Sequence, residues 1–147
     1  GYLYSENAGL AWWPSLPNNW SNKTPIINAI QSKTKENQFF LQQDTNDEQS
    51  LWQMEISQFS STFQQIVLPT NVQKNFTTGS SFTTGTSSDI ILGTPNYIFL
   101  CDFHGGQTLS CSNGIAFPNP VNKIFSLQQA NDNSVWVGTN VGIFFSD

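Results

Sequence analysis

The sequence predicts an all-β chain built from a repeated antiparallel unit. Three observations carry that prediction. Short apolar runs alternate with polar residues and are bounded by Gly, Pro, Asn and Asp. No segment sustains a helical period. One strand–turn–strand pattern recurs along the chain about every 42–47 residues, a spacing typical of repeat architectures. The 147 residues fit one domain, and 37% hydrophobic with 14% aromatic content is enough for a core.

The clearest copy of the pattern is the last. Ser134–Val137 and Gly142–Phe145 read as strands joined by a turn at Gly138-Thr-Asn. From the start of the chain, Gly1–Ser5 is a short strand, Glu6–Gly9 a turn, and Trp12 and Trp13 restart an extended segment limited by Pro14 and Pro17. Residues 14–25 form a Pro/Asn/Ser/Thr loop carrying Trp20. Ile26, Ile27 and Ile30 fit a strand or one helical turn, because periodicity does not decide over so short a run. Ser32–Asn37 is a charged turn, Gln38–Gln43 a strand, Asp44–Ser50 an acidic turn and Leu51–Ile56 the returning strand. Gln64–Leu68 is apolar and extended until Pro69. Thr77–Ser88, nearly all Thr, Ser and Gly, reads as a loop or weak edge strand. Asp89–Thr94 pairs with Asn96–Cys101, Asp102–Gly106 turns, and Gln107–Cys111 runs back. Pro118 and Pro120 separate this from a strand at Lys123–Gln128.

Three alignments define the repeat. Asp89-Ile-Ile-Leu-Gly-Thr94 matches Ser134-Val-Trp-Val-Gly-Thr139, 45 residues later. Leu41–Trp52 matches Leu127–Trp136 with a two-residue gap, placing Trp52 and Trp136 84 residues apart. Gly1-Tyr-Leu-Tyr-Ser5 matches Gly142-Ile-Phe-Phe-Ser146. A unit of this length holding about four strands is what a β-propeller blade shows, with an ordinary β-sandwich as the alternative. The expectation is a partial β-propeller of about three four-stranded blades, in units 1–56, 57–101 and 102–147. In that arrangement Trp52 and Trp136 fill the gaps between sheets.

The turns resemble a known repeat. Ser5-Glu-Asn-Ala-Gly-Leu-Ala-Trp12 resembles the Asp-box, or BNR, pattern S-x-D-x-G-x-T-W, with Ser5, Asn7, Gly9 and Trp12 at motif positions and Ala11 replacing Thr. Asp102-Phe-His-Gly-Gly-Gln-Thr-Leu109 resembles a second copy. There Gly106 and Thr108 fit, while Asp102 stands for Ser, His104 for Asp and Leu109 for Trp. Gly142–Asp147 is similar to the strand entering a third. The resemblance is to Asp-box propellers such as sialidases, sortilin-type receptors, photosystem-assembly factors and some glucanases. It implies a fold, not a site: in that family the box is a structural hairpin whose polar side chains close the turn and whose Trp packs inside. Because closed propellers use about four to eight blades, three units imply a segment of a larger propeller or chains that share one ring.

Composition narrows function. Only 10% of residues are charged, against roughly 25% in an average domain. There is no arginine, and the net charge is −5. That excludes a polyanion-binding stripe, so nucleic acid and anionic membrane surfaces are disfavoured as partners. It also leaves out the arginine cluster that sialidases of the resembled family use to hold a carboxylate. The acidic residues show no spacing that singles out a glycosidase pair. His104 with Asp102 is read as a turn rather than a metal site. Asp44–Glu48 is read as a solvated acidic turn, lacking the Gly and ligand spacing of a calcium loop. No cofactor motif is present.

Cys101 and Cys111 flank a Gly-Gly turn and either bond across it or remain two buried thiols; register decides. Asn19, Asn22 and Asn75 open N-x-S/T sequons. Trp13 and Trp20 are the candidate binding residues, stacking on a sugar or entering a partner's pocket, with packing between blades as the alternative. The resulting expectation is a non-catalytic extracytoplasmic module (secreted, cell-surface, periplasmic or virion) that recognises a protein or glycan or assembles with further blades. The alternative is the non-catalytic segment of a propeller-type glycoside hydrolase.

Overall fold

A computed structural model describes residues 3–4, 13–14, 26–45, 48–57, 61–105 and 107–146. The described residues are all-β apart from one short helix. At the N-terminus, β1 (Leu3–Tyr4) pairs antiparallel with β2 (Trp13–Pro14). Three larger antiparallel sheets follow, each a meander in chain order. The first contains β3 (Ile26–Gln31), β4 (Gln38–Thr45), β5 (Glu48–Ile56) and β6 (Ser61–Gln65). The middle sheet contains β7 (Ser81–Thr83), β8 (Ile90–Gly93) and β9 (Tyr97–Phe103), with β10 (Leu109–Cys111) and β11 (Ile115–Ala116) side by side along the outer edge of β9. The last contains β12 (Ile124–Gln129), β13 (Val135–Thr139) and β14 (Gly142–Ser146).

The middle sheet has a neighbour on each face. Side chains alternate across a strand, and in β8 both sets are buried. Ile90 and Leu92, with Phe99 and Leu109, pack against Phe40, Leu51 and Ile66 of the first sheet's side. Ile91 and Ile98 pack against Ile124, Val135 and Val137 of the last sheet. Phe82 and Phe99 fill the first gap together with Phe40. Trp52 and Trp136 do not fill the gaps, contrary to the sequence expectation. Trp52 neighbours Leu51 on β5 and therefore lies on the face turned away from the middle sheet. Trp136 is 47% exposed on the outer face of the last sheet. Trp52 shares its face with Leu41 and Met54, which are 4% and 8% exposed, so that face is covered, whereas the Trp136 face is open to solvent among the described residues.

The strand registers define the repeat. Gln42 faces Leu51 in the first sheet, Ile91 faces Leu100 49 residues on, and Trp136 faces Phe145 45 residues beyond that. The shift of 45 between the middle and last sheets holds over three strands: Phe82 faces Leu92 as Leu127 faces Val137. It extends to the turns. Thr94 Oγ1 donates to Tyr97 O (2.9 Å), and Thr139 Oγ1 donates to Gly142 O (2.9 Å). Each threonine hydroxyl also accepts a backbone N–H from the turn, from Tyr97 and from Val141. The match of Leu41–Trp52 with Leu127–Trp136 is different in kind. The first hairpin joins the second and third strands of its sheet; the other joins the first and second. What they share is local: Trp52 Nε1 donates to Ser50 Oγ (3.1 Å) and Trp136 Nε1 to Ser134 Oγ (3.0 Å). The sheets run over 26–65, 81–116 and 124–146, whereas a division at 56/57 falls between β5 and β6 of the first sheet and one at 101/102 falls inside β9 of the middle sheet.

Other local readings also shift. β4 and β5 extend into the stretch read as an acidic turn, because Asp44 and Glu48 both have ladder partners, Gln49 and Thr45. Residues 26–31 form a strand. Thr70–Asn75 is a helix, α1, that the sequence reading missed. It follows Pro69, whose carbonyl accepts from Gln73 N (2.8 Å), and it buries Val72 completely. Six residues are too few to show a helical period.

Across sheets, the strands that approach most closely are the first of each: β3 beside β7, and β7 beside β12. Asn28 Nδ2 donates to Phe82 O (3.1 Å) at the first of these contacts, and Ile124 N donates to Gly79 O (2.8 Å) near the second. Gly79 has φ +92°, and a Cβ there would lie 2.3 Å from Asn122 O, so only glycine fits this approach.

Two outcomes follow from the packing and the turns. Phe99→Ala removes a ring that is 2% exposed, and is expected to cost about 3–5 kcal/mol in urea denaturation. Thr94→Val and Thr139→Val each remove one donated and one accepted hydroxyl bond and are expected to cost about 1–2 kcal/mol apiece in the same denaturation measurement.

Candidate functional site

Side-chain amides make several of the contacts between sheets. Gln129, 4% exposed at the end of β12, is the most fully used. Its Oε1 accepts from Thr86 N (2.6 Å), Thr86 Oγ1 (3.0 Å) and Ser87 N (3.3 Å). Its Nε2 donates to Ser87 Oγ and Asn133 O, both at 3.1 Å. The loop after β7 is thereby fastened to the last sheet. Asn140 Oδ1 accepts from Asn122 N (2.8 Å) and Lys123 N (3.2 Å), which fixes the entry to β12.

A second buried amide is incompletely satisfied. Gln42 on β4 is fully buried; its Nε2 donates to Gln49 Oε1 and to Ser80 O, both at 2.9 Å. Gln49 Nε2 in turn donates to Asp44 Oδ1 (2.9 Å). Gln42 Oε1 is buried without a partner. An unsatisfied acceptor of this kind costs about 1–3 kcal/mol. Gln42 lines a cavity of about 510 Å³ beside the first strands, together with Asn28, Gln49, Asp44, Lys123 and Phe125. Lys123 Nζ lies 5.4 Å from the centre of the Phe125 ring. The cavity is therefore lined by amides whose N–H groups are largely bonded within the protein, one carboxylate, one ammonium and one aromatic ring. That set suits a neutral polyhydroxylated ligand: hydroxyls satisfy amides and carboxylates alike, and a sugar ring stacks on an aromatic. Apart from Asp44, read as part of a solvated acidic turn, none of these residues stood out in the sequence, because an amide on a strand has no distinctive spacing.

A larger hollow of about 650 Å³ lies by β5 and β6, lined in part by Trp52, Phe63, Lys35 and Glu55. Among the described residues, no orphaned polar atom sealed from solvent marks it.

The sequence-predicted residues are dispersed. Of the Trp pair, Trp13 has its backbone in β2; its side chain, and all of Trp20, lie outside the described residues. Ser5, Asn7, Gly9, Trp12, Gly106, Asn19 and Asn22 also lie outside them. Asp102, His104 and Thr108 sit on the β9–β10 hairpin, remote in the fold from the amide-lined cavity. His104 Nε2 contacts Ser110 Oγ (2.7 Å), so its ring spans the strands rather than closing the turn with backbone bonds. Both side chains are exposed. Leu109 is 3% exposed and occupies a core position. Among the described residues, no three of His, Cys, Asp and Glu are grouped to hold a metal ion.

Cys101 and Cys111 face each other on β9 and β10, with Cα atoms 4.0 Å apart, and are disulfide-bonded. Asn75 ends α1; its Nδ2 donates to Asn71 O (2.8 Å) and its Oδ1 accepts from Asn96 Nδ2 (3.1 Å).

At the β12–β13 turn, Asp132 accepts from Ser134 Oγ (2.6 Å) and Ser134 N (3.0 Å). The side-chain bond, then the backbone bond, hold its carboxyl below the ordinary value of 3.8. No family model, curated protein or solved structure matches the chain.

Because the folded pKa of Asp132 is depressed, its contribution to stability is present above the ordinary carboxylate range and disappears as pH falls through the lowered value. A carboxyl-carbon NMR titration is expected to place its midpoint below 3.8, and Asp132→Asn is expected to abolish that part of the acid dependence.

Proposed function

We propose that the chain is a non-catalytic recognition module of propeller type that holds a neutral glycan in the amide-lined cavity beside its first strands. The observation that carries the reading is the buried, partnerless Oε1 of Gln42 at a cavity lined by Asn28, Gln49, Asp44, Lys123 and Phe125. Native proteins pair nearly all buried polar atoms, so an orphan beside a hollow points to a hydroxyl or water that completes it. The carboxylate of Asp44 and the chain's net charge of −5 favour a neutral sugar over an acidic one.

The propeller reading is supported by three successive meanders with a common register, and by the close approach of their first strands. Radial repetition brings the first strands of neighbouring sheets together in this way. The Asp-box resemblance adds to it. A disulfide between adjacent strands favours an oxidising, extracytoplasmic setting.

The test is an NMR titration of the chain with neutral mono- and oligosaccharides, alongside a glycosidase assay with aryl glycosides. The expected result is saturable shifts at the side-chain amides of Asn28, Gln42 and Gln49, weakened by Lys123→Ala, without turnover. Shifts confined to other residues, or none at saturating sugar, would overturn the site. Turnover would move the chain to the glycoside-hydrolase alternative.

A further inference from the structure

The larger hollow, of about 650 Å³, lies between the first sheet and the β9–β10 hairpin of the middle sheet. Its floor follows from strand alternation. Gln38 shares a face of β4 with Phe40, and Gln53 and Glu55 share a face of β5 with Leu51, so all three point towards the middle sheet. On β6, Gln64 stands opposite Gln53, and Thr62 opposite Glu55. Phe103, Gly105 and Gln107 of the hairpin line the other side. The Phe103 ring meets Phe40 edge-on at 5.6 Å, which separates the hollow from the apolar core. Gln38 and Gln53 are only 4% and 6% exposed, yet among the described residues neither side-chain amide has a hydrogen-bond partner. Unlike Gln42 Oε1, their polar atoms are not sealed from solvent, and the hollow that both residues line is where they stay accessible. Buried amides are nearly always bonded. Two unbonded ones opening on the same hollow point to a ligand that bonds them there.

We propose that this hollow is a second binding site, which holds a neutral sugar residue through the amides of Gln38 and Gln53. It rests on these amides and not on the Gln42 cavity. An amide offers two N–H donors and a carbonyl acceptor. A sugar hydroxyl donates and accepts at once, so hydroxyls on adjacent ring carbons bond both halves of an amide. Gln64, directly across from Gln53, adds a neighbouring amide, and the Glu55 carboxylate adds an acceptor for a hydroxyl. Lys35 and Glu55 bring one charge of each sign to the lining, so the hollow selects neither an anion nor a cation. Its volume falls within the roughly 300–1,000 Å³ of small-molecule sites. Gln38 and Gln42 lie on one face of β4, four residues apart, which places the two cavities on the order of 14 Å from each other. Phe40, 1% exposed, stands between them, so they are two sites and not one channel.

The test combines binding with stability in the full chain. Side-chain amide NMR signals are followed during titration with glucose, galactose, mannose, N-acetylglucosamine and their short oligomers, with a glycine dipeptide as control. At least one sugar is expected to shift the Gln38 and Gln53 amides saturably. Gln38→Leu and Gln53→Leu are then made singly. Replacing an unbonded buried amide by an apolar group of similar size does not cost stability, so each variant is expected to keep or raise the urea midpoint. Each is also expected to weaken sugar binding at this site at least about tenfold, as loss of its hydrogen bonds does. A lowered midpoint in both variants would overturn the proposal, because the amides would then be holding the fold. So would shifts that no sugar produces, shifts that the dipeptide alone produces, or binding undiminished in both variants. The amides of Asn28, Gln42 and Gln49 report the other cavity separately, so failure of one site and failure of the other are distinguishable.

Discussion

The structure depends on the two-sided burial of β8. Ile90, Ile91 and Leu92 are all inaccessible to solvent, with Ile90 and Leu92 facing one sheet and Ile91 the other. A strand buried on both faces joins two cores that would otherwise be separate. Remove either neighbouring sheet and half of its apolar surface returns to water, at about 25 cal/mol for each Å² exposed. The first and last sheets share little else, so each holds its place mainly through the middle one.

Apolar packing is non-directional, and three stacked sheets packed by it alone would be free to slide. Side-chain amides remove that freedom. Asn28 ties β3 to β7, Gln42 reaches Ser80 from β4, and Gln129 binds the Thr86–Ser87 backbone. Each has a fixed geometry that apolar contact lacks. This explains how a chain with only 10% charged residues holds its sheets in register. It also makes the difference between two buried glutamines informative. Both Gln129 amide atoms are bonded, whereas Gln42 leaves one acceptor unpaired at the edge of a cavity.

Much of the secondary structure was legible in the sequence. Alternation located most strands, and the Gly-Thr turns announced the equivalence of the middle and last sheets, because in both the threonine hydroxyl donates to the carbonyl three residues on. The alignment of Leu41–Trp52 with Leu127–Trp136 detected a real local likeness, the indole-to-serine bond, but assigned it to the wrong place in the sheet. Local chemistry makes that bond whichever pair of strands the hairpin joins. The acidic stretch 44–50 looked like a turn because ladder hydrogen bonds use the backbone, which side-chain polarity does not report. The cavity was not legible at all. Its lining comes from β3, β4, β5 and the approaches to β7 and β12, and no sequence spacing links those segments.

The sequence by itself determined that the chain alternates in and out along short strands, repeats its turns, and pairs most strands with their immediate neighbours. A period of two declares that a strand has two faces. It does not say what lies against either. Only the tertiary structure decided that Ile91 is covered while its equivalent Trp136 is exposed, and that Gln129 is fully bonded while Gln42 is not. Burial and hydrogen-bond satisfaction belong to pairs of segments brought together in space, whereas alternation belongs to one segment at a time.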